Sequence, residues 1–177
     1  VKKEIGEWLV AILIAVVLIV LIRSFLFVSY TVDGLSMDPT FEDEDRVVVN
    51  KLMDNFGEYE TGDVVVFNSE AGPAYVKRII GTPGDTVTME DKQVYVNDEP
   101  LEEDYVVHRT DSYMDNFTLQ DLGVEGETIP EGQYLVLGDN RPLSRDSRDF
   151  GTVDESQIIG EVQLRFWPFN RIAVNFD

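Results

Sequence analysis

Between Arg46 and Phe176 the chain repeats one local pattern: short runs of β-branched and aromatic residues closed off by Gly, Pro, Asn or Asp. RVVVN (46–50), DVVVF (63–67), AYVKRII (74–80), DTVTM (85–89), QVYVN (93–97), QYLVLG (133–138), IIGEVQLRFW (158–167) and RIAVNF (171–176) all follow it. Such residues suit a pleated, half-buried surface, and no stretch among them keeps a helical apolar period. The expected fold for this part is therefore mainly β. TVTMEDKQVYVND reads as a hairpin turning at Asp91-Lys92, whereas residues 99–130 are more acidic and less regular and read as an appended lobe or long loop.

A different signal precedes the strands. Every residue from Trp8 to Ile22 is apolar, and after Arg23-Ser24 the residues Phe25–Val28 extend the run to 21 positions. As a helix this run is roughly 30 Å long, enough to cross a hydrocarbon core. The expectation is an N-terminal transmembrane helix within a membrane anchor over residues 1–30. Lys2 and Lys3 ahead of the run, with Trp8 and Tyr30 near its ends, orient the N-terminus inward and place 31–177 on the extracytoplasmic side of the cell membrane. A cleaved secretory leader is the competing reading, but its apolar core is usually shorter, about 7–15 residues.

Composition narrows the chemistry. Fourteen Lys and Arg stand against 34 Asp and Glu, a formal charge of -20, and the residues beyond 30, with 11 basic against 32 acidic, carry -21. A surface so acidic repels nucleic acid, so no nucleic-acid partner is expected. The absence of cysteine removes disulfides, thiolate metal sites and cysteine nucleophiles, and the single histidine, His108, argues against a multi-histidine metal centre. Only Lys51, Lys77 and Lys92 supply lysines beyond the apolar run.

Three segments could carry a reaction. In GLSMDPT (34–40), Ser36 is either a turn residue or a nucleophile. Asp38 occupies the second glycine position of a Gly-x-Ser-x-Gly elbow, and a Ser-His-Asp triad would have to recruit His108 from the irregular region. Lys77, in a strand, shares a face with Tyr75 and Ile79. A lysine between apolar neighbours loses solvation and its pKa falls, which makes it a base for a serine hydroxyl; a lysine snorkelling from an edge strand is the alternative. The third segment, LGDNRPLSRDSRDFGTV (137–153), crowds Ser, Asp and Arg into one loop, either a solvated, mutually paired loop or an active-site wall.

Taken together, GLSMDPTF, YVKRIIGTPGD, GDNRPLSRDSRDFG and IIGEVQLRFWPFNRI resemble the bacterial type I signal peptidases, membrane-anchored serine proteases with a Ser/Lys dyad. The resemblance implies Ser36 as nucleophile, Lys77 as general base and Ser144 as the residue that holds the lysine amine. It implies Arg78–Asp139 and Asp146–Arg148 as bracing ion pairs, and Met37 and Pro39 as the floor of the site. The backbone N–H of Ser36 would serve the oxyanion. Some members place a serine two positions earlier as a further donor; here that position is Gly34, and the second donor is unassigned. The family's small β-lobe would correspond to about 86–132 within a catalytic domain of 31–177. Its substrates would be signal-peptide-bearing preproteins from the export machinery, cut after small-x-small sequences beside the lipid bilayer, with neither cofactor nor metal. The lysine fits the bacterial branch, not the branch with a histidine base. A noncatalytic, membrane-tethered β module and a self-cleaving repressor-type Ser/Lys protease are the other readings.

Overall fold

The computed structural model describes residues 2–51, 59–69, 72–106, 115–174 and 176, with backbone alone for 2–5 and 21–25. Helix α1 (Lys2–Leu26) leads directly into β1 (Phe27–Thr31). The strands that follow are β2 (Arg46–Asn50), β3 (Val64–Phe67), β4 (Tyr75–Gly81), β5 (Val87–Glu90), β6 (Gln93–Val96), β7 (Glu99–Pro100), β8 (Phe117–Thr118), β9 (Gln133–Leu137), β10 (Val153–Asp154) and β11 (Ile158–Trp167). A short helix, α2 (Ser147–Phe150), lies between β9 and β10.

Among the described residues no helix is long and apolar enough to cross a membrane. This overturns the transmembrane helix expected within residues 1–30, and with it the membrane-anchored, single-pass placement with an extracytoplasmic domain. The expected 21-position span ran to Val28, yet Phe27 and Val28 belong to β1, where they pair with Asn50 and Val49.

The β expectation holds. Seven strands form one antiparallel sheet in the order β1-β2-β11-β3-β4-β9-β10, and four form a second in the order β7-β6-β5-β8. Buried side chains cover both faces of the larger sheet. Val64 and Val66 pack with Met37, Phe41, Val47, Val49 and Val162, while the alternate residues Val65 and Phe67 pack with Ile79, Tyr134, Val136, Val153 and Ile158. Two-sided burial explains why β3 reads as an unbroken apolar run. A third cluster joins Ile80, Leu135 and Leu137 of the large sheet to Val87, Met89, Val94 and Phe117 of the small one. The hairpin turns where expected, with Asp91 and Lys92 both at positive φ, as the right-handed strand twist favours in a two-residue loop.

Among its described residues, 171–174 and 176, RIAVNF does not form the expected strand. Its backbone makes one isolated bridge, Ala173 to Arg165, after a 3-10 turn at Phe169–Arg171. Ile172 and Val174 remain exposed, and the segment is fastened instead by Phe176, whose ring lies 4.6 Å from that of Phe41. Replacing the buried Phe41 by alanine should lower unfolding free energy by about 3–5 kcal/mol in a denaturant titration, since it empties the centre of one cluster.

Candidate active site

Strand β4 crosses the middle of the large sheet between β3 and β9, so consecutive residues are enclosed from opposite sides. Lys77 is 3% exposed and Arg78 is fully buried. Lys77 lies opposite Val65, and its Nζ sits 5.3 Å from the centroid of the Tyr75 ring. Burial therefore brings its pKa from the ordinary 10.5 down to about 8, against the opposing pull of the Asp146 and Asp139 carboxylates. At pH 7 about a tenth of this amine is then unprotonated, against well under a thousandth for an ordinary lysine.

The amine meets a hydroxyl. Lys77 Nζ is 2.7 Å from Ser36 Oγ and 2.9 Å from the Val76 carbonyl oxygen. Ser36 occupies the turn between β1 and β2, and Met37 beside it is buried in the core, which pins that turn to the sheet. Pro39 is exposed and follows a cis Asp38–Pro39 bond. Among the described residues the Ser36 N–H donates to no acceptor. Gly34 has φ +87°, a conformation side chains rarely adopt, with its N–H donating to Asp43 Oδ1 at 2.8 Å.

The loop after β9 encloses the pair. Arg78 grips Asp139 through two bonds, Nε to Oδ1 at 3.0 Å and Nη2 to Oδ2 at 2.9 Å, and donates through Nη1 to the Gly62 carbonyl at 2.7 Å. Asp146 receives Arg148 Nε at 2.8 Å and the Gly138 N–H at 3.0 Å, and caps α2. Gly138 allows the loop to touch the serine turn, since a Cβ there would lie 2.5 Å from the Ser36 carbonyl oxygen and 2.2 Å from Ser144 Oγ. Ser144 Oγ is buried at this contact without a hydrogen-bond partner, so the structure brings Ser144 beside the pair but not onto the amine. His108 lies outside the described residues.

Several contributors have no signal in the sequence. Thr40 donates its hydroxyl to Asp139, and the Asn140 N–H donates to the Ser36 carbonyl at 3.1 Å. Glu103 makes a fully buried ion pair with Arg141, whose Nε donates to the Gly138 carbonyl at 3.0 Å. Tyr105 stacks its ring 3.9 Å from the Arg78 guanidinium. In the sequence Glu103 is one acid within the run LEEDY, and nothing local points it at Arg141.

A hydroxyl facing a desolvated amine, enclosed by paired charges, is the arrangement of a serine hydrolase that uses lysine where others use histidine. Comparisons with known proteins define it further. Residues 5–167 match the model of the signal peptidase family, peptidase S26. Signal peptidase IB of Staphylococcus aureus (strain MRSA252) is 43% identical over 184 residues, covering 99% of this chain and 96% of that one. Signal peptidase I of Bacillus licheniformis is 44% identical over 175 residues, 97% of this chain and 93% of that one. Among solved structures, a signal peptidase I from Enterococcus faecalis V583 is 40% identical with a TM-score of 0.54, over 59% of this chain and 96% of that one. The chain belongs to the bacterial type I signal peptidases of the S26 family, enzymes with a Ser/Lys dyad.

The expected result for Asp139→Ala is a loss of about 3–5 kcal/mol in chemical denaturation, because it strands the buried Arg78 charge. Replacing both partners with apolar residues should cost less than the sum of the single changes.

Proposed function

We propose that Ser36 is the nucleophile and Lys77 the general base of an endopeptidase that removes signal peptides from secreted preproteins after small-x-small sequences. The observation that carries this is the 2.7 Å approach of Ser36 Oγ to an amine that burial holds near pKa 8. The neutral amine accepts the Ser36 proton as Oγ attacks the carbonyl carbon, and the oxyanion forms beside the unengaged Ser36 N–H. The resulting ammonium returns its proton to the departing amine, which breaks the C–N bond and leaves an ester on Ser36. Water, deprotonated by the same amine, then attacks the ester; the released acid and restored hydroxyl close the cycle.

The supporting roles follow the contacts. The Arg78–Asp139 and Asp146–Arg148 pairs fix the loop, Met37 anchors the serine turn from beneath, and Pro39 shapes its outer edge. Ser144, whose hydroxyl is buried at the Gly138 contact without a bond, would steady the amine during proton transfer by turning its hydroxyl onto Nζ. The catalytic unit spans 31–177, with about 86–132 as its noncatalytic lobe. Membership of this peptidase family leaves no observation in favour of the noncatalytic module.

Cleavage of a preprotein bearing an Ala-x-Ala site should fall by at least about 100-fold in Ser36→Ala and in Lys77→Ala, with folded structure verified by circular dichroism. If either variant cleaves at the wild-type rate, the dyad is misassigned. Because the base works only when unprotonated, kcat/KM should rise with pH and reach half its plateau near pH 8. A flat profile between pH 6 and 10 would exclude Lys77 as the titrating group.

A further inference from the structure

Two residues before Lys77, on the same face of β4, Tyr75 forms one wall of a cavity of about 160 Å³ that is separate from the dyad. Its aromatic walls are Phe67, Tyr75 and Phe150: the Tyr75 ring lies 6.0 Å from Phe67 edge-on and 6.3 Å from Phe150, and the Phe67 and Phe150 centroids are 6.1 Å apart. Phe150 keeps 36% of its surface exposed at this opening. Arg145 stands on the cavity with no carboxylate partner among the described residues, in a chain with 34 acidic side chains. Ser69 Oγ, also on the lining, is buried without a hydrogen-bond partner.

The chemistry of the dyad says which part of a substrate passes this cavity. The departing amine receives its proton from Lys77, so the chain beyond the cut leaves from the Nζ side of Ser36. Tyr75 is on that side, its ring centroid 5.3 Å from Nζ. An extended chain advances about 3.3 Å per residue, so the first two residues after the cut span the distance from Nζ to the ring cluster. A space of this size holds a benzene-sized group, and Arg145 offers a cation to a carboxylate beside it.

We propose that this cavity is a binding site for the leaving segment of the substrate, taking an apolar or aromatic side chain from the first or second residue after the cut and preferring an acidic residue next to it. The site rests on the dyad assignment above, because Lys77 sets the side from which the leaving segment departs. Phe67, Tyr75 and Phe150 receive the side chain, and Arg145 selects its neighbour. The small-x-small requirement concerns residues before the cut; this site adds selection among preproteins that already satisfy it.

The test is a peptide series with a constant Ala-x-Ala site and Gly, Ala, Leu or Phe at the first or second following position, each paired with Asp or Lys in the next place. Wild-type kcat/KM should favour Leu or Phe over Gly about tenfold at one of the two positions. Phe150→Ala should reduce that ratio to less than twofold. Arg145→Glu, a change at an exposed residue, should invert the Asp-over-Lys preference, and the inversion should weaken as salt is raised. The same variants should leave discrimination among residues before the cut unchanged. A wild-type enzyme indifferent to both following positions would overturn the proposal, as would variants that alter only selection before the cut. Failure of the dyad would show separately, as cleavage by Ser36→Ala or Lys77→Ala.

Discussion

The Arg78–Asp139 pair is the contact on which the rest of the site depends. Two charges taken out of water cost several kcal/mol each, and only good geometry recovers that cost. The geometry here is a two-bond grip, completed by the Gly62 carbonyl and the Thr40 hydroxyl. Its members come from the strand carrying Lys77, from the loop after β9, from the turn carrying Ser36 and from the turn just ahead of β3. Lys77 is the residue immediately before Arg78 in the strand, so its position follows from that of Arg78.

The pairs also act on the lysine electrostatically. Asp139 and Asp146 both lie close enough to raise the pKa of Lys77, yet burial prevails and leaves it near 8. Each carboxylate already faces an arginine, at 2.9 Å for Arg78–Asp139 and 2.8 Å for Arg148–Asp146. A paired carboxylate projects less field than a free one. The same interactions that hold the loop in shape thus keep two acids near the base without returning it to the charged form.

How much of this could be read in the sequence depended on the range of the interaction. Five of the seven strands of the large sheet, β2, β3, β4, β9 and β11, were legible because runs of β-branched residues and their bounding turn residues are local signals, and Lys77 stood out because lysine is scarce and its strand neighbours are apolar. Phe27 and Val28 read as part of an apolar run because apolar character alone does not separate a helix from a strand; pairing with β2 settled it. RIAVNF has strand composition, but its anchorage is a long-range ring contact. The grip of Glu103 on Arg141 crosses 38 positions between an acidic stretch and a mixed-charge loop, and each looks solvated in isolation. Ser144 illustrates the converse: the resemblance placed it at the amine, while the structure leaves its hydroxyl facing the Ser36–Gly138 contact without a bond.

That contact sets the width of the whole site. The serine turn and the loop after β9 are about a hundred positions apart in the chain, and they meet where Gly138 presents only backbone to the Ser36 carbonyl. The spacing between nucleophile and loop is therefore defined by an atom that is missing. Even the smallest side chain at position 138 would act as a wedge, moving the nucleophile off the amine while every charged and hydroxyl-bearing residue of the site remained in the sequence. A descendant could retain the complete catalytic inventory and still be inert, and a search for the reactive residues alone would not reveal it.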